Sequence, residues 1–281
     1  MRSNKLIQLY ITNMCNSHCK TCSIWKNKKR QELSLDNIKS IVEPFKDSAD
    51  FVIGGGEAIL HSDIENILSY LQKEKVNYTL LSNCILYGEL KRLILKYQIP
   101  NITISCDGIN HDEIRGSVGN KTKIIDFISW AKENGVNFKI SYTYSSFNED
   151  NFIKDMDWLK SFGIDKVYFC LAQNMDLLET GTDDVVAKDV SKILFRKEML
   201  FEKDLHFIAS LIGKRKKPCN SQDSVFTIYS NGDVVRCQSF MSKDVIGNVN
   251  KDSFAKIISN EKAINCPYDK ECNLLCQRRY D

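Results

Sequence analysis

Residues 6–22 read LIQLYITNMCNSHCKTC. Leu6 to Thr12 is a β-rich run, and Cys15, Cys19 and Cys22 follow it at once in the spacing C-x3-C-x2-C. Three thiolates on one short loop can wrap a [4Fe-4S] cube and leave its fourth iron without a protein ligand, open to a substrate or cofactor. Two other readings use the same residues: a zinc site completed by His18 or a remote side chain, and three buried structural cysteines.

Beyond this loop, short β-rich runs alternate with amphipathic segments at intervals of about 25 residues, the pattern of repeated βα units over a parallel sheet. Strands are predicted at Leu6 to Thr12, Phe51 to Ile53, Tyr78 to Ser82, Ile102 to Ser105, Phe138 to Tyr144 and Val167 to Leu171. The first helix is predicted from a Ser34 N-cap, with Leu35, Ile38, Ile41 and Val42 on one apolar stripe. Others are predicted at 63–73, 88–97, 122–134 and 149–162, with Gly135 and Gly163 where C′ glycines belong. After Leu171 the alternation stops. Residues 173–217 are polar, then helical, and end in the basic run Lys214 to Lys217. Val225 to Tyr229 and Val234 to Cys237 then flank an Asn231-Gly232 pair, a hairpin signal. The expected organisation is a βα-repeat domain over 1–172, a bridge over 173–217 and a small module over 218–281.

The 281 residues allow one large domain or one domain with an annex. With 43% hydrophobic and 27% charged residues the chain is of the ordinary globular class, which excludes fibrous and disordered proteins. A net charge of +3 gives no basic face for nucleic acid, although Lys26 to Arg30 form one local cluster. No run approaches the roughly 18 apolar residues of a membrane span, so no membrane partner is expected. The residues after Met1 contain no signal-peptide h-region, so the protein is predicted to be cytoplasmic. Eleven cysteines, an odd count, in a reducing compartment point to metal, cluster or redox chemistry rather than disulfides.

Gly54-Gly55-Gly56-Glu57 follows the second strand; glycines there let backbone approach a ligand closely, and Glu57 offers an acceptor for an ammonium. Cys84, Cys106 and Cys170 each fall at or near the C-terminal end of a strand. Each reads either as a small buried hydrophobe or as a hydrogen-atom donor to a substrate radical. Five further cysteines crowd the end of the chain, Cys219 and Cys237 as C-x12-G-x4-C and Cys266, Cys272 and Cys276 as C-x5-C-x3-C. Such thiolates suit zinc as well as iron.

From about residue 5 to 172 the sequence resembles the radical S-adenosylmethionine superfamily, whose signature is C-x3-C-x2-C after the first strand. The resemblance implies an α/β fold, a partial (β/α)6 TIM-like barrel, with the cluster of Cys15, Cys19 and Cys22 binding S-adenosylmethionine at its open iron. Its reductive cleavage gives a 5′-deoxyadenosyl radical that abstracts a substrate hydrogen atom. On this resemblance Gly54, Gly55, Gly56 and Glu57 form the cofactor-binding GGE element, with Ala58 where the family has proline. Ser82 and Asn83 touch the ribose, with Cys84 in place of the family's glycine. Ser105 and Asp107 match the Ser-x-Asp-Gly of the fourth strand, and Arg115 is a candidate for the cofactor's carboxylate.

The C-terminal cysteines resemble the SPASM/Twitch extension that carries auxiliary [4Fe-4S] clusters, here as a β-hairpin plus helix. Position 263 is Ala263, and no cysteine follows Cys276, a departure from the full set. Five thiolates cannot fully ligate two cubes, which need about eight. One auxiliary cluster is therefore expected on Cys219, Cys237 and two of Cys266, Cys272 and Cys276. The resemblance implies an oxidoreductase or isomerase that oxidises, cross-links or epimerises a ribosomal peptide, using a flavodoxin- or ferredoxin-type reductant. A dehydrogenase or epimerase of a sugar-like small molecule is the alternative, and a non-catalytic iron-sulfur carrier or zinc-binding module is the alternative of another class.

Overall fold

Alternate side chains of β1 (Lys5–Thr12) sort to two faces: Ile7, Leu9 and Ile11 are fully buried, while Gln8 and Tyr10 are half-buried on the other side. In this computed structural model, which describes residues 5–172, 185–201, 208, 224–236 and 245–259, the same parity runs across the sheet. The strands β2 (Ala49–Gly55), β3 (Tyr78–Ser82), β4 (Asn101–Ser105), β5 (Phe138–Tyr144) and β6 (Val167–Leu171) follow β1 in order, each parallel to its neighbour. Register aligns Ile7 with Phe51, Phe51 with Tyr78, Leu80 with Ile102, Ile104 with Ile140 and Tyr142 with Phe169, so one face is a continuous apolar layer.

Helices cover that layer: α1 (Leu35–Val42), α2 (Ile64–Lys73), α3 (Tyr87–Tyr97), α5 (Asn120–Glu133) and α6 (Phe152–Ser161). Ser34 caps α1, its hydroxyl accepting the Asn37 N–H at 3.1 Å. Burying Ile38, Ile41 and Val42 beneath it stabilises the docked helix by roughly 1.5–3 kcal/mol per side chain. Tyr142 and Phe152 meet edge-on at 6.0 Å, joining β5 to α6. The opposite face carries Gln8, Thr79, Thr103, Ser141, Thr143 and Cys170, a polar lining over the six-stranded parallel sheet of a partial barrel.

Three features depart from the expectation. A five-residue helix, α4 (His111–Arg115), follows β4; its polar sequence is too short to show a period. The hairpin β7 (Val225–Ile228) and β8 (Asp233–Arg236) does form around Gly232, but β7 pairs in parallel with β1 and extends the barrel sheet. A parallel sheet ending at β1 leaves an edge of unpaired amides, and β7 covers it. A further strand β9 (Val245–Asn248) pairs with β8, and α7 (Phe254–Ser259) packs Phe254 against Phe45 and Phe226. In the bridge, a 3-10 segment at Val190–Met199 lies against α6.

A candidate active site at the ends of β1 to β4

The loop after β1 is closed at its base by Asn13, whose side chain donates to the Lys29 carbonyl at 2.7 Å and accepts the Gln31 N–H at 2.9 Å. Trp25 spans it, donating Nε1 to the Cys22 carbonyl at 2.8 Å and the Cys19 carbonyl at 3.3 Å, with the His18 ring 4.9 Å away. Two backbone bonds, His18 N–H to Arg115 O at 3.0 Å and Lys20 N–H to Ile114 O at 2.8 Å, fasten the loop to the end of α4. Cys15, Cys19 and Cys22 are reduced, Cys19 buried and the others half-buried. Burial pushes the Cys15 thiol up to about 11 and also raises Cys22, the latter against the Ile24 N–H and the Arg115 cation. Among the described residues no three His, Cys, Asp or Glu side chains converge as ligands of a single ion do. Three thiols on one loop are the donor set of a [4Fe-4S] cube, whose ligand sulfurs stand further apart than the donors of a single ion.

Gly55 and Gly56 serve a close approach, to the chain's own backbone. A Cβ on Gly55 would strike the Thr12 carbonyl, and one on Gly56 the Met14 carbonyl. The bare backbone donates Gly56 N–H to Thr12 O and Glu57 N–H to Met14 O, both at 2.8 Å, and so locks the end of β2 to the start of the cysteine loop. Gly54 faces Leu81. Glu57 is buried; its Oε2 accepts the Asn83 N–H at 2.7 Å, while Oε1 has no partner in hydrogen-bonding geometry. Burial raises its pKa to about 7, against opposition from the Asn83 N–H, the Ser82 hydroxyl and the Ile59 N–H. A buried carboxylate with one orphaned oxygen beside the cysteine loop fits a cationic ligand such as an ammonium.

Asn83 connects this group to the cysteines: its Nδ2 donates to Asn16 Oδ1 at 2.8 Å and lies 3.9 Å from the Cys15 sulfur. Cys84 follows with φ +62°, a left-handed conformation that favours glycine, and its N–H donates to Ser82 Oγ at 3.1 Å. Asn120, from α5, supports the turn by donating to the Asn83 carbonyl at 2.8 Å.

At the end of β4, Arg115 meets a carboxylate of its own chain. Asp107, fully buried, takes Arg115 Nε at 2.5 Å and Nη2 at 3.1 Å, and its Oδ1 also accepts the Thr143 N–H at 2.9 Å. Arg115 Nη1 lies 3.8 Å from the Cys19 sulfur. Burial opposes the guanidinium charge, but Asp107 and Cys19 outweigh it and raise its pKa. Arg115, the candidate for the cofactor's carboxylate, and Asp107, of the Ser-x-Asp-Gly match, are thus paired with each other. Ser105 is half-buried on the polar face of β4.

The three remaining described cysteines separate. Cys84 and Cys106 lie in the apolar core, fully buried, with thiols pushed up to about 12 chiefly by that burial. Cys170 is exposed on the polar face of β6, 3.7 Å from Ser141 Oγ. Strand position alone put the three on one footing; parity divides them. Asn16, Ser17, Asn120, Thr143 and Asp155 join the network unforeseen, because their partners lie up to a hundred residues away in sequence. Cys219, Cys237, Cys266, Cys272 and Cys276 lie outside the described residues, as do much of the bridge and the basic run before Pro218. No described helix is long and apolar enough to cross a membrane.

Comparison with known proteins matches residues 9–159 to the Radical SAM superfamily and residues 219–278 to an iron-sulfur cluster-binding domain, SPASM. The chain is 22% identical to the radical SAM cyclopropyl synthase TigE of Paramaledivibacter caminithermalis over 97% of its length and 67% of that protein. It is 23% identical to the antilisterial bacteriocin subtilosin biosynthesis protein AlbA of Bacillus subtilis, over 89% of the chain and 58% of that protein. It thus spans about three fifths to two thirds of these relatives' lengths. Among solved structures, Streptococcus suis SuiB bound to the precursor peptide SuiA superposes with a TM-score of 0.74 at 16% identity, covering 93% of this chain and 66% of that one. Native anSMEcpe with bound AdoMet gives 0.68 at 18% identity, covering 92% and 81%.

Proposed function

Because the chain belongs to the Radical SAM superfamily, whose match spans more than half of it, we propose that it modifies a ribosomally made peptide by hydrogen-atom abstraction, in an oxidation, a cross-link or an epimerisation. It is a radical SAM enzyme rather than a bare electron carrier or a zinc module. Bound together, a [4Fe-4S] cluster and S-adenosylmethionine supply one-electron cleavage of the sulfonium and a radical able to take an unactivated hydrogen atom. Cys15, Cys19 and Cys22 would hold the cluster. Glu57 Oε1 would accept the ammonium of the amino-acid moiety, Asn83 would orient the ribose side, and Ser82 and Ser105 would border the cofactor. The polar face of the sheet, with Gln8, Thr103, Ser141 and Thr143, would receive the substrate. Of the three thiols considered as hydrogen-atom donors, Cys170 alone faces that side and is exposed. Within residues 218–281, Cys219, Cys237 and two of Cys266, Cys272 and Cys276 would hold one auxiliary cluster, able in an oxidation to take up the electron that the substrate radical loses. A flavodoxin- or ferredoxin-type protein would reduce the first cluster.

The observation that carries this reading is the orphaned, buried Glu57 oxygen beside three reduced thiols on one loop. The peptide class draws support from AlbA, a bacteriocin biosynthesis protein, and from SuiB, solved with its precursor peptide. Anaerobic reconstitution with iron and sulfide, then S-adenosylmethionine and dithionite, is expected to give 5′-deoxyadenosine. The triple Ala variant of Cys15, Cys19 and Cys22 should give none, and an active triple variant would overturn the assignment. Faster cofactor cleavage with precursor peptides than with polyols would support the peptide class, and the reverse would favour a sugar-like substrate.

A further inference from the structure

We infer that Arg115, held by Asp107, is a positioning residue for the cluster, a cation aimed at the Cys19 sulfur that makes the cluster easier to reduce. The geometry is specific. Asp107 is fully buried and its two oxygens grip one edge of the guanidinium, Nε and Nη2, while the Thr143 N–H binds the same carboxylate. A planar fork held along one edge has no freedom to swing, so the direction of its remaining nitrogen is fixed. That nitrogen, Nη1, lies 3.8 Å from Cys19 Sγ, and Ser17 Oγ lies 3.2 Å from the same sulfur. Cys19 is also the most buried of the three thiols, so the surroundings screen the charge least where the cation stands.

Hydrogen bonds and nearby positive charge at the ligand sulfurs raise an iron-sulfur cluster's potential, since they stabilise the state carrying the extra electron. Asp107 neutralises Arg115 overall, yet it sits on the far edge, and the sulfur sees the cation first. The same arrangement argues against Arg115 as a clamp for the cofactor's carboxylate: Nη2 also reaches Thr143 Oγ1 at 3.5 Å, and recruiting the fork elsewhere would leave a fully buried aspartate unpaired.

The inference rests on Cys15, Cys19 and Cys22 being cluster ligands. If the wild-type chain gathers no cube, that reading fails before this one is reached. The test compares reconstituted wild type, Arg115→Gln and Arg115→Lys in an EPR-monitored redox titration, following the signal that S-adenosylmethionine perturbs. In Arg115→Gln the equilibrium constant for reduction is expected to fall about tenfold, about 59 mV for a one-electron couple. Arg115→Lys, which keeps charge and loses the fork, should fall between the two. S-adenosylmethionine affinity, read from the same spectral perturbation, should stay within about threefold of wild type. Unchanged potential in Arg115→Gln overturns the inference, and so does affinity weakened about tenfold at unchanged potential, which would return the guanidinium to the cofactor's carboxylate. Should Arg115→Gln take up little iron, Arg115→Lys carries the test alone: a lowered potential with retained affinity supports the inference, and a wild-type potential overturns it.

Discussion

The Asp155 carboxylate occupies the space in which a side chain on Gly108 would begin. Gly108 has φ +85°, and its missing Cβ lets Asp155 reach across from α6 to accept the Ile109 N–H and the Tyr142 hydroxyl, at 2.8 and 2.7 Å. Gly108→Ala must evict the carboxylate and strain the backbone at once. We expect a loss of about 3 kcal/mol in urea unfolding, the combined scale of one strained residue and a broken buried hydrogen-bond pair.

Asp155 also sets a pH dependence. Burial raises its pKa from 3.8 to about 6, against its two hydrogen bonds. A carboxyl raised in the folded state adds stability that is complete below the unfolded value and is lost as pH rises through the folded one. The total is about 3 kcal/mol, of which about half disappears between pH 5 and pH 8. Asp155→Asn should therefore gain about 1.5 kcal/mol relative to wild type over that interval, measured by urea midpoints of the cluster-free chain. A flat difference would show that the carboxyl titrates normally.

Alkylation should rank the cysteines. At pH 8 a thiol of pKa about 12 is thiolate in roughly one molecule in 10⁴, and Cys84 and Cys106 are also shut in the core. In the folded, cluster-free chain iodoacetamide should modify Cys170 before Cys84 and Cys106, which should react only when urea opens the fold. Peptide mass spectrometry reads the order; early labelling of Cys106 would contradict the burial.

Gly56→Ala should separate folding from cluster loading. Its methyl group would meet the Met14 carbonyl next to Cys15, so the cysteine loop must shift while the apolar layer beneath stays intact. The variant should keep its far-ultraviolet circular dichroism and lose up to about half of its iron on reconstitution, the share of the first cluster. Wild-type iron content would mean that the loop tolerates the displacement.

Strand periodicity carried most of the fold. The six βα strands lie within two residues of their predicted bounds, because Ile7, Phe51, Tyr78, Ile102, Ile140 and Val167 must all face the helices. The Ser34 cap and the positive φ of Gly135 and Gly163 were equally legible, being local chemistry. Cys15, Cys19, Cys22 and Glu57 could be picked out as a set, since their spacing is short and their residue types unusual. What stayed hidden is pairwise and distant. Nothing near Arg115 in the chain says that Asp107 will grip it and turn it toward Cys19. Nor does any local pattern say that Val225 will lie beside Leu6.

That last pairing bears on how the protein is made. Val225 to Ile228 lie against Leu6 to Leu9, more than two hundred residues earlier, on the strand from which the thiol loop hangs. During synthesis that flank of the strand lacks this partner until Val225 to Ile228 have left the ribosome. Until then the edge of the strand that carries the thiol loop offers unpaired amides, a template for pairing with another chain.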